Sequence, residues 1–373
     1  MSAERPSLLC AAFSARQIAM SAKRAGLDAL AVDFFHDLDL EGVAARGEAL
    51  AGHYPDGFSD AELIEALGRL AKDRAPLGFV YGAGFEDRPA LLERIAERWP
   101  ILGNDGATVR ALKDPERFAA LCERAGVAHP EICREAPDDA AGWLSKRIGG
   151  AGGSHVRGAV AGEAEPERYV QRFVEGERWS AGFVAAGTRL LVLGFTRQWT
   201  APTPEEPFRY AGAVGPLDPP GTLGAQMTGA LERVVALQPL TGLCSADFVA
   251  GPQGLHLLEI NPRAGATIDI FDTEAEPLIG LHLEACAGRL PQGFAGPAEI
   301  RATGLAWAGV PASLPAGFDW PPHASDRSRG PALFQAGEPL CTILASGATE
   351  RDAAALFEAR VADIRLRLER KAA

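Results

Sequence analysis

Across residues 1–105 the chain alternates short apolar runs with amphipathic ones, and this alternation restricts the fold more than any other feature. Residues 8–13, 27–34 and 76–81 read as buried strands, with 101–103 as a short fourth. An Ala-rich helix following Ser14 and Arg16 stops near Gly26, and 60–72 and 89–99 have helical periodicity. The acidic stretch 37–39 reads as a loop, and Gly82 and Gly84 close the third strand. Strands separated by helices pair in parallel, so a doubly wound α/β unit is expected. Its ligand face lies at the carboxyl ends of the strands.

The pattern then changes. Two helices, 105–112 and 115–125, are joined at Asp114 and Pro115, a capping residue followed by a first-turn proline, and Gly126 stops the second. From about 140 to 260 the apolar runs 143–146, 169–174, 178–185, 189–198, 244–250 and 255–260 suggest antiparallel strands, interrupted by a helix at 222–237. Short strands at 303–310 and 341–345 and a helix at 350–370 close the chain. No internal repeat or low-complexity linker separates these parts, so contiguous lobes are expected.

Composition sets outer limits. With 37 Lys+Arg against 49 Asp+Glu the net charge is −12, which disfavours a surface that tracks nucleic acid or anionic lipid but leaves room for a local basic pocket. Only five of the basic residues are lysines, so a lysine ending an apolar run stands out. The six cysteines (Cys10, Cys122, Cys133, Cys244, Cys286 and Cys341) have no zinc-site spacing and read as reduced thiols. The apolar stretch near the start follows Glu4, Arg5 and Pro6 and is too short for a signal-peptide core. No run reaches the roughly 18 apolar residues of a membrane span. A soluble, cytoplasmic protein is expected.

Three stretches carry chemistry. In the first, a strand delivers Lys146 into a loop of four glycines, Gly149, Gly150, Gly152 and Gly153, followed by Ser154 and His155. Glycines let backbone N–H groups approach a polyphosphate closely, and the lysine adds a mobile positive charge. No lysine follows a glycine, so there is no Walker A sequence, and the spacing is not GxGxxG. In the second, Tyr169, Val170, Gln171, Arg172, Phe173 and Val174 lead to a turn at Gly176 flanked by Glu175 and Glu177. An apolar slot with backbone donors and acceptors suits an adenine, and a carboxylate suits a ribose diol.

The third stretch is the most specific. Asp247 lies on one apolar strand, a turn runs from Gly251 to Gly254, and the next strand ends in Glu259, Ile260, Asn261, Pro262 and Arg263. Glu259 and Asn261, two residues apart, share one face of their strand. Two carboxylates and an amide oxygen converging there suit a hard cation such as Mg2+ shared with phosphates. Arg263 can fork onto a carboxylate or phosphate.

In this order and spacing the three stretches resemble the ATP-grasp superfamily over most of the chain. The resemblance implies an α/β pre-grasp domain (1–105), α+β ATP-grasp lobes (106–290, hinge near 171–177) and a small mostly-β C-terminal domain with a terminal helix (291–373). It implies Lys146 as the phosphate lysine, with Gly150, Gly152 and Gly153 as its flexible loop. Gln171, Phe173 and Val174 become the adenine hinge and Glu177 the ribose acid. Asp247, Glu259 and Asn261 become ligands of Mg2+ (or Mn2+), and Arg263 the arginine of the E-x-N-P-R motif. A second ATP lysine is usual near the start of the grasp region. Here Pro115 stands where it often falls, and Lys113 is the candidate.

Finer details resemble the branch of carboxylate–amine ligases with unassigned substrates: Ser14 to Ala19, Phe208 to Gly212, and Gly337 to Leu344. The implied activity is ADP-forming C–N ligation through an acylphosphate, with Lys146 and Arg263 as catalytic residues. Small carboxylate and amine substrates follow, with neither nucleic acid nor membrane, and a homodimer as the assembly considered. Members of this branch join small amino acids or amines in cofactor assembly, tyramine–glutamate ligases of one-carbon cofactor pathways among them. Arg16, Arg197, Arg209 and Tyr210 are candidate acceptor-site residues. Alternatives are an ATP-grasp thiol ligase or carboxylase, and a non-catalytic ATP-binding regulator.

Overall fold

The structure, a computed structural model, describes residues 5–53 and 57–371. Met1 to Glu4, part of the N-terminal reading, lie outside them. Strands β1 (Ser7–Ala11), β2 (Asp28–Asp33), β3 (Arg46–Ala49) and β4 (Phe79–Tyr81) form one parallel sheet in the order β3-β2-β1-β4. Every residue of β1 is buried, as expected when both faces of a sheet are covered. Helix α1 (Arg16–Arg24) covers one face, and α3 (Asp60–Leu70) and α4 (Pro89–Ala96) pack with the core on the other.

Three features of this region differ from the sequence reading. β3 carries Arg46, Gly47 and Glu48, which have low strand propensity; parallel pairing to β2 makes it a strand. The acidic stretch is no loop. Asp37 caps helix α2 (Leu38–Val43), its Oδ1 accepting from the N–H groups of Asp39 and Leu40 at 2.8 and 2.9 Å. At the expected fourth strand only a bridge between Phe79 and Ile101 forms.

Asp37 is buried, and its Oδ2 has no hydrogen-bond partner. Burial, with Asp326 nearby, pushes its carboxyl up to about 7. A carboxyl raised in this way costs the folded state nothing below the unfolded value and most above pH 7. Asp37→Asn, which keeps the capping oxygen, is therefore expected to stabilise the protein by about 2 kcal/mol at pH 8, with the gain vanishing near pH 4. Urea unfolding at the two pH values measures this difference.

Helices α5 (Gly106–Lys113) and α6 (Pro115–Arg124) follow. Asp105 caps α5 through the Thr108 N–H, and Asp114 caps α6 through those of Glu116 and Arg117. A small antiparallel sheet then combines β5 (Trp143–Arg147) and β6 (Arg168–Arg172) with the short pieces Ile132–Cys133 and Arg157–Gly158.

At Phe173 the chain leaves that sheet for a second one of eight strands. Its members include β7 (Glu177–Gly187), β8 (Arg189–Thr200), β9 (Tyr210–Leu217), β10 (Leu240–Gly251) and β11 (Gly254–Asn261). β9 is absent from the sequence reading because Gly212, Gly215 and Pro216 suppress its strand signal. Those glycines are needed for contact: a Cβ at Gly212 would meet the Thr303 carbonyl at 2.6 Å, and one at Gly215 the Phe195 carbonyl at 2.7 Å. The C-terminal strands β12 (Ile300–Trp307) and β13 (Pro339–Gly347) extend this sheet from β9, and the last helix, Glu350–Lys371, packs on them.

Buried charge ties the ends of the chain together. Arg16 donates to Asp269 at 2.8 and 2.6 Å and to Asp326 at 2.9 and 3.2 Å, joining α1 to two distant segments. Among the described residues no helix is long and apolar enough to cross a membrane.

Candidate active site

From the tight turn, β10 and β11 pair in step as far as Phe248 and Leu257, and a bulge at Leu258 then shifts the register by one residue and brings the acids together. Asp247 lies directly opposite Glu259, and Ser245 opposite Asn261. All three candidate ligands face one cavity of about 440 Å3. Asn261 Nδ2 lies 3.3 Å from Asp247 Oδ2 and 3.4 Å from Glu259 Oε1, and Gln198 donates to Asp247 Oδ1 at 3.0 Å. Burial and the neighbouring Glu259 carboxylate push Asp247 up to about 6. Burial alone would raise Glu259 as well, but the ammonium groups of Lys113 and Lys146 hold it well below the usual range.

Lys146 reaches the same cavity from β5, in the other sheet. Its Nζ lies 3.2 Å from Gln171 Oε1 and 5.7 Å from the centre of the Tyr169 ring. Burial opposes its charge, but Tyr169, Glu259 and Asp247 more than offset this, and its pKa lies above the ordinary lysine value. Lys113 arrives from the end of α5, and its ammonium donates to Glu259 Oε2 at 3.1 Å and Asn261 Oδ1 at 2.6 Å.

The glycine loop roofs the cavity, with Gly150, Gly152 and Gly153 in its lining. The loop is seated on both sides. Gly149 packs on the Asp87 backbone, and the Gly152 carbonyl accepts from the Tyr210 N–H at 2.9 Å. Gly153 has φ +75°, and a Cβ there would collide with the Phe208 carbonyl. Gly153→Ala is thus expected to unseat the loop at a cost of about 1–2 kcal/mol. The expected result is turnover reduced about tenfold at that cost with nucleotide binding retained, as read by steady-state kinetics beside a thermal shift. His155 packs against Gly150, and burial drives its pKa down to about 4, so it is neutral.

The hinge residues Gln171, Phe173 and Val174 also line the cavity. Glu177 does not. Strand alternation in β7 turns Arg178 and Ser180 inward and Glu177 outward, where it accepts from Trp179 Nε1 at 3.3 Å and lies 3.8 Å from Arg197.

Arg263 lines the cavity and is paired with a residue the sequence reading missed. Its Nε donates to Glu86 Oε1 at 2.7 Å, and Glu86 Oε2 accepts from the N–H groups of Gly84 and Phe85. Despite burial, Arg263 and Lys113 hold the Glu86 carboxyl below its ordinary value. Glu86 lies two residues beyond Gly84, at the carboxyl end of β4, where a parallel sheet presents its ligand face; that position was its only signal.

Of the candidate acceptor residues, Tyr210 lines the cavity. The arginines are occupied elsewhere: Arg16 by its two aspartates, Arg197 by Glu350 at 3.2 Å, and Arg209 by the Trp307 ring and the Ala201 carbonyl. Phe13, Phe35, Tyr210 and Trp307 also line the cavity.

This donor set fits ATP with a divalent cation. The carboxylates are hard oxygen donors, lysine and arginine surround them, and Gln171 Nε2, buried in the hinge, lacks a hydrogen-bond partner. Comparison with known proteins agrees. Residues 116–267 match the family model of an ATP-grasp domain. The chain is similar in fold to a biotin carboxylase from Campylobacter jejuni (13% identity, TM-score 0.68, covering 95% of this chain and 90% of that one). It is also similar to an L-amino acid ligase from Bacillus licheniformis (13%, 0.65, 96% and 97%). An N5-carboxyaminoimidazole synthetase from Staphylococcus aureus, complexed with ADP, is a third (13%, 0.66, 95% and 97%). In sequence the chain is 25% identical over 237 residues to the carbamoyl phosphate synthase large chain of Deinococcus radiodurans. It matches 55% of this chain but only 22% of that much longer protein. The chain thus carries an ATP-grasp domain over residues 116–267 and shares its overall fold with these proteins along nearly its whole length.

Proposed function

We propose that the protein is an ADP-forming carboxylate–amine ligase. The observation that carries this reading is the cross-strand pair Asp247–Glu259 sharing one roofed cavity with Lys146 and Arg263. Phosphoryl transfer depends on charge neutralisation and alignment rather than covalent chemistry by the protein. A divalent metal, when bound, supplies charge neutralisation at the terminal phosphates. Asp247 and Glu259 would hold it, with the amide of Asn261 beside them.

Lys146, beneath the glycine loop, would bind phosphate oxygens, and Phe173 and Val174 would enclose the adenine. Arg263, fixed by Glu86, would orient the substrate carboxylate. That carboxylate attacks the γ-phosphorus and the bond to the β–γ bridging oxygen breaks, giving an acylphosphate and ADP. The amine then attacks the acyl carbon, phosphate leaves, and the amine loses a proton. Acylphosphates hydrolyse in water, so the seated loop, held at Asp87 and Tyr210, would exclude solvent during the lifetime of the intermediate.

The aromatic residues Phe13, Phe35, Tyr210 and Trp307 in the cavity lining favour an amine or carboxylate with an aromatic or apolar body, consistent with a tyramine–glutamate-like pair. Release of ADP screened over pairs of amino acids and amines tests the reading. At least one pair should raise ADP release above the rate with either partner alone. AMP as the nucleotide product, or no stimulation by any pair, counts against it. Lys146→Ala should remove the thermal shift given by Mg·ATP, and an unaltered shift argues against its phosphate role.

A further inference from the structure

Arg178 enters the cavity with no counter-charge. It lies on the inward face of β7, two residues before Ser180, which stands opposite Asp247. Its guanidinium lies over the Phe208 ring, 5.2 Å from the ring centre. Among the described residues no carboxylate or carbonyl pairs with it, although the residue is half-buried. Burial lowers its pKa, and no neighbouring acid opposes that shift. The other arginines of the cavity are engaged: Arg263 with Glu86, and Arg172 with the Trp143 ring and the Ala141 carbonyl. An unpaired charge withdrawn from water is costly, and an anion brought in by a ligand removes that cost.

We propose that Arg178 is a nucleotide-binding residue whose guanidinium takes the α-phosphate. The inference rests on the reading of the cavity as an ATP site, and the place of Arg178 along that site selects the group. On one side, Phe208 carries the guanidinium and lies 6.3 Å, centre to centre, from the ring of Phe173 in the hinge. On the other, β7 runs on to Ser180 beside Asp247. Between an adenine at the hinge and terminal phosphates at the acids, a nucleotide presents its ribose and its α-phosphate, and only the phosphate is anionic. A guanidinium fork matches phosphate oxygens, and the aromatic face of Phe208 supports the same group without neutralising it. Glu177, the preceding residue, faces outward, so Arg178 is the charge that this end of β7 presents to the nucleotide.

Competition of AMP and of adenosine against radiolabelled ADP, on the full chain without metal, tests the proposal. AMP carries the α-phosphate alone and adenosine carries none, so the ratio of their affinities isolates that group. In Arg178→Met, which keeps an apolar stem on Phe208, the preference for AMP over adenosine should fall about tenfold or more. A smaller fall overturns the proposal, and an equal loss for both ligands assigns Arg178 to the sugar or to packing. Without nucleotide the variant should melt no more than about 5 °C below the unaltered protein, because the charge it loses has no partner. A larger drop, or failure to fold, shows a structural role and overturns the proposal as well. ADP that fails to bind the unaltered protein refutes the ATP reading itself and takes this inference with it.

Discussion

Glu259→Gln is expected to lower ADP formation by about a thousandfold or more while the protein remains folded. Glutamine keeps the volume and one oxygen but removes the charge facing Asp247, Lys113 and Lys146. Loss of that charge acts on the transferring phosphoryl group, where electrostatic alignment is the protein's main contribution. The fold should tolerate the change because Glu259 lies near the end of its strand beside a cavity and is 35% exposed. Circular dichroism and a melting curve establish folding, and a coupled ADP assay establishes turnover. Turnover within tenfold of the unaltered protein would remove Glu259 from the metal site.

Glu86→Ala should have the largest effect on stability, about 3–5 kcal/mol, because it leaves the buried charge of Arg263 without a partner. The N–H groups of Gly84 and Phe85 lose their acceptor at the same time. Glu86 is 2% exposed and Arg263 10%, so water cannot easily replace either contact. In the double variant with Arg263→Ala much of the loss should be recovered, since no unpaired charge remains. Urea unfolding of the four proteins measures the coupling. A loss below about 1 kcal/mol for Glu86→Ala would show that the pair is solvated and does not fix Arg263.

The parts of the site carried by local pattern were legible in the sequence. The apolar runs around Gly251 and Gly254 specify a hairpin, but a register carried straight from the turn would set Asp247 opposite Leu258, and the bulge that sets it opposite Glu259 has no signal in the sequence. Lys146 and the glycine loop follow from a strand that ends in a flexible segment. Contacts between distant segments were not legible. Glu86 meets Arg263 only because the parallel sheet docks against the hairpin, and no spacing announces a contact between residues so far apart in the chain. The same holds for Lys113, whose target depends on how α5 packs against β11. β9 escaped because its glycines serve close backbone packing, which lowers the local strand signal at a central position of the sheet. The arginines Arg16, Arg197 and Arg209 misled for the opposite reason: charge in a promising segment is visible in sequence, but the acids and rings that engage it are not.

In the proposed reaction the cavity transfers the γ-phosphoryl group of ATP to a carboxylate before the amine attacks. The most direct test supplies the productive pair with both carboxylate oxygens labelled by 18O and follows the phosphate by mass spectrometry. One labelled oxygen in the released phosphate is predicted, together with ADP. Unlabelled phosphate accompanying amide formation would rule out an acylphosphate on the path to the amide.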